Sequence, residues 1–246
     1  MTHSITQSSE AAQPLIAVVT GAGQGIGRAV ALKLAGHGAH IVLVGRTQAK
    51  LDAVAAEVIA AGGSATVVEA DVTRAGEVQR VMDAAAAVAP QLDALVNCVG
   101  EAFIATLDDT TEADFDRLLT ANLKTAYLTS RAALPLLRQS ANASVVNVVS
   151  KVALANHGTV TAYTAAKAGL LGFTHSLSDE LKPEEIRAVA ICPGAVDTPM
   201  RWAATPDYER RMVIDPVQVA DLAWYAITLP RGTTTGDLVV TSMYYD

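Results

Sequence analysis

The segment from Leu15 to Ala35 constrains the fold more than any other. Leu15-Ile-Ala-Val-Val-Thr20 is a short apolar run suited to a buried strand, and it passes directly into Gly21-Ala-Gly23-Gln24-Gly25-Ile26-Gly27. Arg28 to Ala35 then follows helical periodicity. A strand, a glycine turn and a helix in succession form the context in which backbone amides and a helix N-terminus can receive a diphosphate. The dinucleotide spacing G-x-G-x-x-G is not met, because Ile26 occupies its last glycine. G-x-x-x-G-x-G is met by Gly21, Gly25 and Gly27, and it serves the same needs: a tight turn, bare backbone and close helix packing.

The remainder repeats the alternation. Strands are expected at His40–Gly45, Ala65–Glu69, Leu92–Asn97, Ser144–Val149, Arg187–Cys192 and Leu238–Thr241. Helices are expected at 48–61, about 74–88, 112–137, about 162–181 and 216–228. This pattern predicts an α/β fold, a single Rossmann-type doubly wound parallel sheet of about seven strands with helices on both faces. Residues 14–246 read as one domain, behind a loose polar leader at 1–13. The less periodic stretch 199–215 reads as a mobile lid over a substrate.

Composition narrows the partners. With 246 residues, 51% hydrophobic and 17% charged, the chain can bury a large core. A net charge of −7 and the lack of a basic patch argue against nucleic acid. No apolar run is long enough to cross a membrane, and no Cys/His cluster has metal-ligand spacing. Cys98 and Cys192 sit in apolar stretches and read as reduced core thiols of a cytoplasmic protein.

Two further features carry chemistry. Tyr163 and Lys167 stand one turn apart on a helix, so an ammonium can favour the phenolate of a side chain whose ordinary pKa is about 10. Ser150 closes the run Val145–Val149, where its hydroxyl could bond the same substrate oxygen as the phenol. Asn122 lies inside the helix at 112–137, where its amide competes for backbone hydrogen bonds, and a locally bulged turn holding a water is expected there. At the end of the second strand, where an acid would bond the adenosine 2′-hydroxyl, stand Gly45 and Arg46. A guanidinium there suits a 2′-phosphate, which favours NADP(H), with NAD(H) as the alternative. Gln24 adds no second cation in the glycine turn.

Taken together, these residues resemble the short-chain dehydrogenase/reductase family from Leu15 to about Thr241. The likeness rests on Thr20-Gly21 to Gly27, Asp71-Val72, Asn97-x-x-Gly100, Asn122, Ser150, Tyr163-x-x-x-Lys167 and Pro193-Gly194 with Thr198. It implies that Tyr163 is general acid or base, that Ser150 positions the carbonyl oxygen, and that Asn122 holds a relay water. Lys167 would tune Tyr163 and bind the nicotinamide ribose. Asp71 and Val72 would meet the adenine, Asn97 and Gly100 the sheet end and cofactor, and Val196 and Thr198 the carboxamide. It also implies a homodimer, through the helices at 112–137 and 162–181, or a homotetramer. The family's Asn-Asn-Ala-Gly is replaced by Asn97-Cys98-Val99-Gly100, and its Asp-Gly-Gly end by Thr241 to Asp246.

The expected substrate is a small carbonyl compound or secondary alcohol. A 3-oxoacyl-carrier-protein reductase is the alternative; it would want a cationic rim, for which Arg138, Lys182 and Arg187 are candidates, interrupted by Glu184 and Glu185. A nucleotide sensor without turnover is a third reading. His157 and Asn156 are expected to face the substrate pocket.

Overall fold

The computed structural model describes residues 14–155 and 157–244. The expected leader at 1–13 and Asn156 lie outside the described residues.

Seven strands form one parallel sheet: β1 (Ile16–Thr20), β2 (His40–Gly45), β3 (Ser64–Glu69), β4 (Ala94–Asn97), β5 (Ser144–Val148), β6 (Arg187–Pro193) and β7 (Leu238–Val240). Their order is β3-β2-β1-β4-β5-β6-β7, so the chain reverses direction across the sheet between β1 and β4. In such sheets a crevice opens there, outside the carboxyl ends of the strands. The Rossmann-type arrangement expected from the alternation is the one observed.

Each central strand is buried on both faces, which is why valine runs serve here where alternating patterns would not. Ala17 and Val19 of β1 face a core built with α1 (Gly25–Ala35), α2 (Gln48–Ala60) and α8 (Pro216–Thr228). Ile16 and Val18 face the opposite core, with α3 (Ala75–Val88), α5 (Thr125–Leu137) and α6 (Thr161–Leu181). Leu34, Leu51, Leu95 and Leu137 are fully enclosed, and truncating any of them to alanine costs about 2–5 kcal/mol.

The expected helix at 112–137 is not continuous. α4 (Glu112–Leu119) opens with a capping box between Thr111 and Asp114, then widens into a π-helical turn at Thr120–Lys124 before α5. The segment 199–215 holds a short helix, α7 (Pro199–Ala204), and returns to the body through a bridge between Val196 and Ile214. Among the described residues no helix is long and apolar enough to cross a membrane, and no acid, His or Cys cluster is arranged to hold a metal.

Candidate active site

The glycine turn is built for a close approach. Gly21 and Gly25 have φ of +66° and +55°, a region costly for residues with a Cβ. A Cβ on Gly27 would stand 2.3 Å from the Gly21 carbonyl oxygen, backbone that cannot yield. The helix begins at Gly25, earlier than the periodicity from Arg28 indicates, with Gln24 as its N-cap. No side chain caps α1, so its first amides remain available to an anion. This cradle fits a dinucleotide diphosphate.

Alongside the turn opens a cavity of about 360 Å³ at the carboxyl ends of the strands. Ser150, Tyr163, Lys167, Asn122 and Gly100 line it, with Ile26, Pro193, Gly194, Val196 and Thr198. The four residues singled out for proton chemistry are therefore brought to one space.

Lys167 is 4% exposed, and its Nζ donates to the Val148 carbonyl at 2.9 Å. Nζ lies 6.0 Å from the centroid of the Tyr163 ring. Burial disfavours the ammonium and pulls its pKa down to about 8. Ser150, two residues beyond β5, keeps an extended backbone and accepts a hydrogen bond from the Val152 amide, which opens a short turn at Lys151–Ala153.

Asn122 is wholly buried in the π-helical turn. Its Nδ2 donates to the Leu118 and Glu101 carbonyls, both at 3.0 Å, and its Oδ1 accepts from the Glu101 amide at 3.1 Å. The amide thus takes over the carbonyl of Leu118, four residues back, in place of the helix backbone, and pins the loop after Gly100. The bulge expected from an asparagine inside a helix is present; Oδ1 keeps a second lone pair for a further donor.

Asn97 does not join the cavity. Its Nδ2 donates to Asn147 Oδ1 at 2.9 Å and its Oδ1 accepts from Thr129 at 2.8 Å, while Asn147 donates to Thr174. This buried network ties β4 and β5 to α5 and α6 behind the site, so the Asn97 side chain shapes the sheet end. Cys98 meets expectation in part. It is half-buried, packing against the core while also lining the cavity, and loss of hydration pushes its thiol up to about 12. Cys192 is buried as expected.

Asp71 and Val72 follow β3, at the far end of the carboxyl edge. Burial works against ionisation of Asp71, but hydrogen bonds from Thr73 and the charges of Arg46 and Arg74 outweigh it and hold the carboxyl below its usual range. Arg46 is thus electrostatically coupled to this corner. A second cation, missed in the sequence, stands beside it. Lys50, in the first turn of α2, donates from Nζ to Gln24 Oε1 at 2.7 Å, and its Cβ packs against Gly23. Glu69 also approaches, but its carboxylate accepts from the Gln48 amide at the start of α2.

The residues considered for a carrier-protein rim are elsewhere. Arg187 begins β6 at the opposite edge of the sheet, buried among the Ile227, Pro230 and Thr233 carbonyls. Arg138 pairs with Glu184, and Lys182 follows the far end of α6. His157 lines the cavity. So do Phe103, beneath the Arg117 guanidinium, and Glu101, which pairs with Arg117.

Comparison with known proteins agrees with this geometry. A family model described as short chain dehydrogenase matches residues 15–209. An uncharacterized oxidoreductase of Staphylococcus aureus (strain N315) is 33% identical over 225 residues, 92% of this chain and 96% of that protein. The crystal structure of a 3-ketoacyl-(acyl-carrier-protein) reductase from Brucella melitensis complexed with NADH superposes with a TM-score of 0.85 at 27% identity, over 93% of this chain and 97% of that one. An alcohol dehydrogenase from the archaeon Thermococcus sibiricus, complexed with 5-hydroxy-NADP, shares the fold with a TM-score of 0.87 at 24% identity, over 95% and 99% of the two chains.

Proposed function

The chain belongs to the short-chain dehydrogenase family and is an NAD(P)-dependent oxidoreductase of CH–OH and C=O groups, and on that premise we propose that it interconverts a small carbonyl compound and its secondary alcohol, with Tyr163 moving the proton and NADP(H) favoured. The observation that carries this reading is the convergence of Ser150, Tyr163, Lys167 and Asn122 on one cavity beside the glycine cradle.

The cofactor would lie along the carboxyl edge. Gly21 to Gly27 would hold its diphosphate on backbone amides, Asp71 and Val72 its adenine, and Lys167 its nicotinamide ribose. Gly100, Pro193, Gly194, Val196 and Thr198 would hold the nicotinamide end. When bound, the nicotinamide supplies the hydride for reduction or accepts it in oxidation. Everything else falls to the protein. The Ser150 hydroxyl donates to the carbonyl oxygen and fixes its position. The Tyr163 hydroxyl gives its proton to that same oxygen, and the Lys167 ammonium stabilises the phenolate left behind. In the oxidative direction the phenolate removes the alcohol proton. Asn122 keeps the helix open beside Gly100, with one lone pair left for a relay water.

Preference for NADP(H) is supported by Arg46 and Lys50, two exposed cations beside the corner where the adenosine ribose belongs, while Glu69 is occupied by the start of α2. Residues 14–246 then act as one domain, with 199–215 covering the substrate. A cytoplasmic location suits the two free cysteines. Assembly as a homodimer, or a homotetramer built on it, is supported by the shallow apolar groove of Leu119, Leu123, Tyr127 and Phe173 on α4 to α6. A carrier-protein substrate gains nothing from Arg138, Lys182 or Arg187.

The test is a panel of ketones and aldehydes followed by loss of reduced-nicotinamide absorbance. Turnover with NADPH, faster than with NADH at equal subsaturating concentration, is expected. Tight cofactor binding without turnover across the whole panel would favour the sensor.

A further inference from the structure

The charges that line the cavity do not balance. Glu101 is paired with Arg117, and Lys167 is buried against the Val148 carbonyl. Arg201 of α7 is different. It is half-buried and lines the cavity, yet no carboxylate among the described residues pairs with it. Its Nη1 donates to Thr205 Oγ1 at 3.3 Å, and its guanidinium lies 4.9 Å from the centroid of the Tyr208 ring. Both of these neighbours also line the cavity. One hydrogen bond and one ring face leave most of the five guanidinium N–H donors without a protein acceptor. Apolar side chains of Phe103, Ile104, Val152, Val160, Met200 and Ala204 make up much of the remaining wall.

A planar fork of donors, held from below by an aromatic face in a mostly apolar space, suits a carboxylate. Building on the carbonyl-reductase reading of this cavity, we propose that the substrate carries a carboxylate as well as the reacting carbonyl, and that Arg201 receives it and sets specificity. The redox step leaves that carboxylate unchanged: the C=O carbon gains the hydride, its oxygen gains the Tyr163 proton, and the reduced nicotinamide is oxidised. The other anion near α7 would be the cofactor diphosphate, since Thr198, the N-cap of α7, packs against Gly25 with its Cγ2 3.1 Å from where a Cβ would stand.

Matched pairs separate these cases. Levulinate, benzoylformate and β-benzoylpropionate are compared with their methyl esters in the unmodified protein, in Arg201→Gln and in Arg201→Lys, and the Kd for NADPH is measured by calorimetry. The proposal expects kcat/KM for at least one acid to exceed that of its ester by about tenfold or more, as a charge-assisted contact supplies. That ratio should collapse toward one in Arg201→Gln, mainly through KM, and be partly kept in Arg201→Lys, with the NADPH Kd holding in both. Esters reduced as well as acids by the unmodified protein would overturn the proposal and leave the carbonyl-reductase reading standing. A weakened NADPH Kd in Arg201→Gln would also overturn it, by assigning the guanidinium to the diphosphate. If no acid, ester or member of the wider carbonyl panel is turned over, the reductase reading fails and this inference with it.

Discussion

Gly100 and Asn122 stand so close that a Cβ on the glycine would lie 2.8 Å from Asn122 Oδ1, and it would also lie 3.3 Å from Lys167 Nζ. The carboxamide cannot swing away without losing its bonds to Glu101 and Leu118. Overpacking at such a point costs about 1–3 kcal/mol. Gly100→Ala should therefore lower the unfolding free energy measured in urea by that order and reduce kcat more than KM. A variant as stable and active as the parent would contradict the packing described.

Asn122 makes three hydrogen bonds in full burial, so the form of its replacement matters. Asn122→Asp keeps an acceptor for the Glu101 amide but loses both donors, and it sets a carboxylate against two carbonyls. Asn122→Ala leaves those groups unpaired, at about 1–3 kcal/mol for each buried group. Both variants should be destabilised, and amide exchange at Glu101 and across Thr120–Lys124 should quicken. Unchanged protection there would mean that the side chain does not pin the turn.

Lys167 makes stability depend on pH in a definite direction. Burial lowers its pKa from an ordinary 10.5 to about 8, so between those values the unfolded chain holds more proton on this residue than the folded one. Stability contributed by this residue therefore rises with pH across that window, and the cost of the buried ammonium is felt in full below it. Urea titrations of the parent and Lys167→Met from pH 7 to above 10 should show a positive slope in the parent that is flattened in the variant. Parallel slopes would show that Lys167 is not desolvated as described.

The corner that holds Arg46 and Lys50 predicts cofactor preference. Arg46→Ala should raise the Kd for NADPH by roughly tenfold, the scale of a hydrogen bond to a charged group. Lys50→Ala, which removes an exposed ammonium already shared with Gln24, should act more weakly and lose its effect as salt is raised. NADH binding should be spared in both, and Arg46→Asp should reverse the order of the two cofactors. Equal losses for NADPH and NADH would place these cations on the diphosphate instead.

Much of this is legible in the sequence. Valine runs marked the buried parallel strands, the spacing of Gly21, Gly25 and Gly27 fixed a turn that only bare backbone can make, and Asn122 announced a break in its helix by being a poor occupant of one. What escaped were contacts between segments remote in sequence. Lys50 reaches Gln24 across two loops, and Arg201 faces the cavity only because α7 folds back over it. Cys98 packs against the core as its apolar neighbours suggest, but because β4 ends one residue before it, it also borders the cavity. Arg138, Lys182 and Arg187 are candidates for a cationic rim in the sequence alone. Arg138 follows α5, Lys182 follows α6 and Arg187 opens β6, so the strand and helix directions carry them to the opposite edge.

The proton role of Tyr163 is tested most directly by Tyr163→Phe, in which NADPH affinity and single-turnover reduction of a substrate identified from the carbonyl panel are measured on one preparation. The account predicts that the cofactor Kd stays close to the parent value while the reduction rate falls by at least about a hundredfold, the lower range for a positioned general acid. A variant that binds NADPH normally and still reduces the carbonyl at the parent rate would contradict it.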